Sequence, residues 1–439
     1  MQICDVNGMI EMREKRNWMK MCGVVFALML SMAAFAETRR TPLVKYPGEV
    51  GQHGWKFRGA EKGKVVYIPF EGYYKSKGGR IESPVFKLDK KTGENAWYEL
   101  KFEAKSLENG YWWVDFFDRA GEQLPDVNSR LYGSKDWRSY EVVVPTRPDA
   151  DSAQIAFVSE NGAFVRDVEL RELSVNEAAE WCDKFYKDLP PVDCSRISNE
   201  SWGLLPKTKS LLQSSNELRI VFLGDSIMND TWCGNFGPLV FKDFPAAKIK
   251  MYVSVRGSTG CWYYHEKKHF EEYVVRYSPN LVVIGGISNY LGPEKSTVRQ
   301  AEDHMVETIK RCRSIGAEVI VCTPPPSYEF RPDSTSKPFD LSLCEAPLDG
   351  RYSALRWDYQ RNAAKRTGVQ IWDLTTAPAD SISRSGKPLM WFKRDEWHND
   401  DRGKQLIART IAAYFHAAKL YPDYAGNQNV GLKRTVAAE

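Results

Sequence analysis

The chain has 439 residues, more than one ordinary hydrophobic core accommodates, so we expect two domains. Hydrophobic residues make up 43% of the sequence and charged residues 27%, a balance that indicates a globular protein and excludes a disordered or fibrous one. The net charge is only +4, from 61 basic and 57 acidic residues. So small an excess gives no reason to expect a nucleic-acid partner.

The N-terminal segment, residues 1–36, has the pattern of a secretory signal. Basic residues between positions 13 and 20 precede an apolar stretch, 21–36, that ends in a small-x-small cleavage pattern at Ala36. The alternative is a membrane anchor, but the stretch is shorter than the ~20 residues that span a bilayer. We therefore predict cleavage after Ala36, no membrane span in the mature chain, and a secreted or periplasmic location.

Seven of the nine cysteines lie after the predicted signal. Export permits disulfides, and Cys182 with Cys194 and Cys233 with Cys261 are candidate pairs, although spacing leaves the connectivity open. An odd number leaves at least one free thiol. The cysteines and histidines do not have the spacing of a zinc site, so we expect neither a metal nor another cofactor.

Short segments rich in β-branched and aromatic residues fill residues 43–175, separated by Gly, Pro, Asn and Asp turns. This spacing predicts an antiparallel β-sandwich, jelly-roll-like, with strands at 65–69, 97–104, 111–117, 139–144, 154–158 and 168–173. A connector, 176–217, follows and contains an amphipathic segment at 177–186.

Strands and helices alternate over residues 218–425, and a short tail, 426–439, ends the chain. The alternation predicts an α/β domain with a doubly wound, five-stranded parallel sheet. In such a sheet, ligands bind beyond the carboxyl ends of the strands. The predicted strands are 219–223, 248–255, 281–285, 318–322 and 369–374, and the predicted helices are 266–277, 297–315, 353–366 and 402–418.

Three of the predicted parallel strands end in short polar turns. The first runs into Gly224-Asp225-Ser226, where glycine permits a tight turn and the serine amide can point at a substrate oxygen from a helix start. The second ends at Gly257, and the third ends in residues 285–289, which are Gly-Gly-Ile-Ser-Asn. Taken singly, each turn is equally compatible with an ordinary strand–helix connection.

Asp395 and His398 stand three residues apart, just before the last predicted helix. A serine hydroxyl needs a base to become a nucleophile, imidazole suits that role near neutral pH, and a carboxylate orients the ring. His265 and His269 are four apart and could share a helix face. A metal there would need further ligands, so a solvated face is the better interpretation.

Together these motifs resemble the SGNH (GDSL-like) hydrolase superfamily, of the carbohydrate-esterase type. The resemblance covers residues 219–424, about half of the chain. It implies that Ser226 is the nucleophile and that His398 and Asp395 complete a catalytic triad. It also implies that the backbone N–H groups of Ser226 and Gly257 belong to the oxyanion hole.

The third family motif is altered in this chain. The family pattern is Gly-x-Asn-Asp, with the asparagine amide as an oxyanion donor, whereas this sequence has Gly286-Ile287-Ser288-Asn289. Ser288 takes the asparagine place if Gly286 is aligned, and Asn289 serves only if the turn accommodates one extra residue. One such donor contributes ~3 kcal/mol to transition-state stabilisation.

The first domain resembles a carbohydrate-binding module. Its aromatic segment, 111–117, alternates sides along a strand, so one face belongs to the core. The other face exposes either Trp112, or Tyr111 and Trp113, for stacking on sugar rings. Packing of these rings between two sheets is an equally good interpretation.

The sequence as a whole predicts a secreted serine esterase that removes acetyl or other small acyl groups from an acylated polysaccharide or oligosaccharide. A lipase or thioesterase is an alternative, and it would need an apolar groove, for which loop 324–350 could supply a wall. A second alternative is a non-catalytic surface protein that binds glycans through a degenerate hydrolase domain. The altered third motif is the one feature in its favour.

Overall fold

In this computed structural model, the described residues of the first half of the chain form mainly antiparallel strands between residues 44 and 173. The model describes residues 41–49, 53–58, 66–68, 72–74, 80–106, 108–159, 163–285, 297–326, 337–340, 353–395 and 397–419. The strands of this half are β1 (Val44–Glu49), β2 (Lys56–Arg58), β3 (Val66–Ile68), β4 (Gly72–Tyr74), β5 (Arg80–Glu82), β6 (Phe86–Lys87), β7 (Trp97–Ser106), β8 (Gly110–Phe117), β9 (Gln123–Leu131), β10 (Ser134–Pro145), β11 (Ser152–Ser159) and β12 (Ala163–Leu173).

Within the described residues these strands form two larger antiparallel sheets that share a core. One has the order β1-β12-β7-β10, and the other has the order β2-β5-β11-β8-β9, with β6 beside β11. The rings of Phe102 on β7 and Phe157 on β11 meet across the core at 4.8 Å between centroids. The predicted antiparallel strands are therefore confirmed, while the jelly-roll connectivity stays a prediction.

Trp112 and Trp113 are both buried, 3% and 1% exposed. Trp112 faces the shared core between the sheets. Trp113 points the other way, where the Arg80 guanidinium lies 5.8 Å from its ring centroid. Neither ring presents a face to solvent, so the prediction that they stack on sugar is wrong, and the alternative of core packing applies to Trp112.

Five strands of the second half form a parallel sheet in the described part of the chain, as predicted. They are β13 (Glu217–Gly224), β14 (Lys248–Val255), β15 (Leu281–Ile284), β16 (Glu318–Cys322) and β17 (Gln370–Trp372), in the order β14-β13-β15-β16-β17. All four residues of β15 are buried, as expected of an apolar strand covered on both faces.

Helices cover both faces of this sheet. On one face Met228 and Ile407 pack with Phe222, and on the other Met305 and Ala363 pack with Val221. The doubly wound arrangement is therefore confirmed. The helices are α1 (Val175–Tyr186), α2 (Pro206–Leu212), α3 (Ser226–Cys233), α4 (Phe236–Asp243), α5 (Cys261–Tyr264), α6 (Lys267–Tyr273), α7 (Val298–Ser314), α8 (Ser353–Thr367), α9 (Thr376–Arg384) and α10 (Asp401–Ala417), with 3₁₀ turns at Asn199–Trp202, Val275–Tyr277 and Leu389–Phe392.

The predicted helix 266–277 is in fact two pieces. Val274 leaves the helical region (φ −128°, ψ −58°), so α6 ends at Tyr273 and a 3₁₀ turn follows. Two successive β-branched residues, Val274 and Val275, have restricted side-chain rotamers in a helix and weaken it there. The pattern of apolar residues did not reveal this break, because it continues through both pieces.

The six cysteines within the described ranges are free thiols, so neither candidate disulfide is present. Cys182 and Cys233 are buried in α1 and α3, where they act as small core side chains. The described part of the chain contains no helix of sufficient length and apolar character to cross a bilayer. The predicted signal, residues 1–36, lies outside the described residues.

Candidate active site

Ser226 lies where the sequence predicts it, directly beyond the carboxyl end of β13. It is the first residue of α3, and the Asp225 carboxylate caps this helix by accepting from the Ile227 N–H at 2.9 Å. The first N–H groups of a helix have no partner within the helix, and they carry the positive end of its dipole. The Ser226 hydroxyl is therefore placed beside backbone N–H groups that favour negative charge.

Gly224 permits the close packing on which this turn depends. A Cβ at this position would clash with the Gly285 carbonyl oxygen and approach the Met228 Cβ to 2.6 Å. The neighbouring strand β15 and helix α3 are thus packed against bare backbone, which brings the end of β13 close to both.

Gly224→Ala is expected to destabilise the fold by about 2 kcal/mol, because backbone atoms must move to admit the methyl group. Urea unfolding at equilibrium measures the change. Gly203→Ala is the matched control, since its added Cβ would come no closer than 3.3 Å to a neighbouring atom, the Glu200 carbonyl oxygen. Equal stability losses in the two variants would contradict this account of the turn.

A tight loop before α10 presents Asp395 and His398. Lys393 and Asn399 form an isolated antiparallel bridge, and the Arg394 N–H donates to the His398 carbonyl at 3.0 Å. The loop is therefore closed on itself by backbone hydrogen bonds, with both functional side chains at its tip.

Ser226, His398 and Asp395 form one hydrogen-bonded chain. The His398 Nε2 lies 2.8 Å from the Ser226 Oγ, and its Nδ1 lies 2.8 Å from the Asp395 Oδ2. The Asp395 Oδ1 also accepts from the backbone N–H groups of His398 and Trp397, at 2.8 and 2.9 Å. These distances suit an imidazole that donates from Nδ1 to the carboxylate and accepts the serine proton at Nε2.

The Asp395 carboxylate is held in its ionised form. Burial acts to raise its pKa, but the hydrogen bonds and charge of His398, together with the charge of Arg394, outweigh burial and keep the pKa well below the usual range. An ionised carboxylate is the form that orients a histidine base and stabilises the imidazolium.

Gly257 is buried in the turn after β14, beside the turn that carries Ser226. The Arg256 N–H donates to the Gly224 carbonyl at 3.3 Å, and the Thr259 hydroxyl donates to the Gly257 carbonyl at 3.0 Å. Ser258 holds a left-handed conformation (φ 54°), which is costly for a residue other than glycine and is often found at functional sites. The other two predicted oxyanion residues, Ser288 and Asn289, lie outside the described residues.

A buried contact from the β-sandwich supports the loop that carries Asp395 and His398, and sequence reasoning missed it. Arg394, 5% exposed, donates from Nη1 to the Asn128 Oδ1 on β9. Its Nη2 lies 3.2 Å from the Asp230 Oδ1 on α3, and Arg130 donates to the Arg394 carbonyl at 3.0 Å. Both halves belong to one compact unit, Pro42–Glu439.

Further bonds extend this support to the start of α10. The Lys404 Nζ donates to the Asn128 carbonyl at 2.6 Å, and Ser129 donates to the Asp401 carboxylate. The Asn399 N–H donates to the Asp230 Oδ2 at 2.9 Å. The sandwich is thus attached to both ends of the loop, and the sequence holds no local signal for contacts between residues so far apart.

Lys393 adds a buried cation to the base of the loop. Burial lowers the pKa of Lys393 to about 8, against the opposing charges of Asp230, Asp395 and Asp400. Its Nζ donates to the Trp397 carbonyl at 3.2 Å. At neutral pH the loop therefore has a positive charge beneath its carboxylates, which offsets part of their mutual repulsion.

If the chain has the esterase activity that its sequence predicts, Asn128→Ala is expected to lower kcat for a small acetyl ester about tenfold or more with little change in KM, because the loop loses an anchor and small misplacements of reacting groups are costly. The measurement is steady-state kinetics together with the unfolding midpoint. Asn216→Ala, at an exposed asparagine before β13, is the control and should behave like the wild type. A kcat that is unchanged in Asn128→Ala would show that the sandwich does not position the loop.

The predicted helix face shared by His265 and His269 does not exist, because His265 follows α5 whereas His269 lies in α6. The His269 ring stacks on Tyr263 at 3.5 Å between centroids, and His265 stacks on His304 at 4.3 Å. Among the described residues, no group of three or more His, Cys, Asp or Glu side chains is arranged to hold a metal ion.

No protein-family model matches the sequence, and no curated protein matches it. Among solved structures, a two-domain esterase active on acetylated mannans is 16% identical, with 53% of this chain and 58% of its own chain covered and a TM-score of 0.39. The acetylxylan esterase Axe2 of Geobacillus stearothermophilus is 16% identical, with 45% and 94% covered and a TM-score of 0.36. The protein YxiM of Bacillus subtilis is 14% identical, with 85% and 90% covered and a TM-score of 0.36. Likenesses this distant do not identify the chain, so its function is inferred from its own residues.

Proposed function

We propose that this protein is a secreted carboxylic ester hydrolase of the SGNH kind that removes acetyl or other small acyl groups from a polysaccharide. The observation that carries the proposal is the continuous chain of hydrogen bonds from the Ser226 Oγ through His398 to Asp395. A serine, an imidazole and a carboxylate in this order and at these distances form a nucleophile, its base and the group that orients the base.

The proposed reaction has two stages that use the same three side chains. His398 takes the Ser226 proton at Nε2 while Oγ forms a bond to the ester carbonyl carbon, and the resulting oxyanion accepts hydrogen bonds from the N–H groups of Ser226 and Gly257. The bond to the sugar oxygen then breaks, and His398 returns the proton to that oxygen. In the second stage water attacks the acyl-serine with His398 again as base, and the acid leaves.

The third oxyanion donor, Asn289 or Ser288, remains part of the proposal. An asparagine amide has a donor of fixed geometry, whereas a serine hydroxyl rotates. Comparison of Asn289→Ala with Ser288→Ala therefore identifies the third donor, because the variant that lacks this donor should have the lower kcat.

Covalent labelling with a fluorophosphonate tests the nucleophile, and acetate release from a panel of acetylated polysaccharides tests the substrate. We expect a single labelled peptide that contains Ser226, and release from at least one polysaccharide. No labelling, together with retained binding to polysaccharide, would instead support the non-catalytic glycan-binding alternative.

Acyl-chain preference distinguishes the proposed esterase from a lipase or thioesterase. Most of loop 324–350, the expected apolar wall, lies outside the described residues. We expect acetyl esters to be hydrolysed with a higher kcat/KM than octanoyl esters, and the opposite order would favour the lipase alternative.

A further inference from the structure

A cavity of about 380 Å³ lies between the sandwich and the edge of the parallel sheet; we call it the hairpin cavity. Three stretches and Arg147 line it; the stretches are the β8–β9 hairpin at 118–125, the end of β14 at 254–256, and the region of α6 from Tyr263 to Tyr277. Ser226, His398 and Asp395 are not among the residues that line this cavity.

Both walls of the hairpin cavity are held in place by hydrogen bonds. The Asp118 Oδ1 accepts from the N–H groups of Ala120 and Glu122, at 2.9 and 3.0 Å, which shapes the hairpin. The buried Arg147, which follows β10, donates to the Val253 carbonyl at 2.5 Å and to the Tyr277 hydroxyl at 2.6 Å, and it thus attaches the sandwich to the wall formed by β14 and Tyr277. The cavity is thus largely preformed, as small-ligand sites usually are.

The lining of the hairpin cavity combines opposite charges with aromatic rings. The Arg256 guanidinium lies 4.5 Å from the ring centroid of Tyr263, and this contact holds the arginine side chain at the wall of the cavity. Carboxylates and guanidinium groups together accept from and donate to hydroxyl groups, and aromatic rings pack against the apolar faces of sugars. The lining includes the acidic residues Asp118, Glu122 and Glu272, the basic residues Arg147, Arg256 and Arg276, and the tyrosines Tyr263, Tyr273 and Tyr277.

This balance of charge favours an uncharged ligand. A site for an anion such as a uronate would carry a surplus of basic groups, but here acidic and basic residues are equal in number. Arg147 is moreover paired with Asp149, through Nη2 at 2.5 Å. The lining therefore best matches a ligand that has many hydroxyl groups and no net charge.

One wall of the hairpin cavity lies next to the turn that carries Ser226. Arg256 immediately precedes Gly257, and its backbone N–H donates to the carbonyl of Gly224, two residues before Ser226. Because Gly224 and Val255 are paired at the ends of β13 and β14, the wall formed by Val255 and Arg256 adjoins this turn.

We propose that the hairpin cavity binds an uncharged sugar residue of the polysaccharide from which Ser226 removes an acyl group; this rests on the proposed function. Arg256 and Glu272 then hold sugar hydroxyl groups, and the cavity selects a polymeric substrate over a small ester. The sandwich takes part in this selection through its β8–β9 hairpin and not through Trp112 or Trp113.

Selectivity between two substrates tests the proposal. For Arg256→Gln and for Glu272→Gln, we expect kcat/KM on an acetylated neutral oligosaccharide to fall at least ten times more than kcat/KM on 4-nitrophenyl acetate, mainly through KM. Arg299→Gln, at a 68% exposed arginine on α7, is the control and should leave the ratio unchanged. Equal losses on both substrates would overturn the proposal.

Binding without catalysis separates this proposal from the proposed function. A deacetylated neutral oligosaccharide is titrated calorimetrically into the Ser226→Ala protein and into Ser226→Ala combined with Arg256→Gln, and we expect at least tenfold weaker binding to the second. Equal affinities would overturn the sugar site even if the wild type is an active esterase. Tighter binding of a uronate oligosaccharide than of the neutral one would overturn the assignment of an uncharged sugar. A wild type that hydrolyses no ester, with the binding difference intact, would contradict the esterase and leave the sugar site supported.

Discussion

Ser226→Ala is expected to lower kcat/KM for 4-nitrophenyl acetate by roughly 10⁴- to 10⁶-fold. The substitution removes the protein atom that bonds to the acyl carbon in the proposed mechanism, the Oγ that lies 2.8 Å from the His398 Nε2. Residual hydrolysis would come from the oxyanion donors and from water. Initial rates at several substrate concentrations, on protein freshly separated from contaminating esterases, measure the loss.

Two controls show whether the loss of activity is specific to Ser226: the unfolding midpoint of the variant and the activity of a variant at a second serine. Ser226 is only partly buried and its substitution removes a single small hydroxyl group, so Ser226→Ala should unfold at nearly the wild-type midpoint. Ser210→Ala, at an exposed position on α2, is the matched control and should retain full activity. Hydrolysis by Ser226→Ala at the wild-type rate would falsify the assignment of the nucleophile.

Asp395→Asn should have the second-largest effect, a loss of about 10³-fold in kcat/KM. An asparagine presents an N–H group where the carboxylate accepts from Nδ1, and this favours the wrong tautomer of His398. The Asp395 side chain is 40% exposed, so water replaces part of the lost interaction, and we expect less than the largest losses known for triad carboxylates.

The pH dependence of the Asp395→Asn defect provides a further check. Because the pKa of Asp395 is held below its usual range, the wild-type carboxylate stays ionised throughout pH 5–9, and the ratio of wild-type to variant kcat/KM should show no transition that comes from this group. Asp380→Asn is the matched control, since that side chain is 41% exposed and forms an ion pair with Arg384. A loss below tenfold in Asp395→Asn would mean that Asp395 does not orient the base.

Features that depend on neighbours along the chain could be predicted from the sequence. The apolar run of β15 is buried on both faces, and the Gly-Asp-Ser turn follows β13 because a glycine and a helix-capping aspartate act on the residues beside them. The pairing of Asp395 with His398 is equally local, since the two residues are three positions apart within one closed loop. Ser226 follows β13 and His398 precedes α10, and the order of these motifs predicts that the two residues meet beyond the carboxyl ends of the strands.

Features that depend on how the two halves meet were decided only by the tertiary structure. Alternation along β8 predicts that Trp112 and Trp113 face opposite ways, but it does not reveal that both faces are covered. The contacts of Arg394 with Asn128 and Asp230, and the charges gathered in the hairpin cavity, join residues more than 100 positions apart. Burial of a charge or an aromatic ring is decided by whichever surface packs against it, and local sequence carries no record of that surface. Sequence alone therefore predicted the parallel sheet and the meeting of Ser226, His398 and Asp395, whereas packing decided that the sandwich supports the loop of Asp395 and His398.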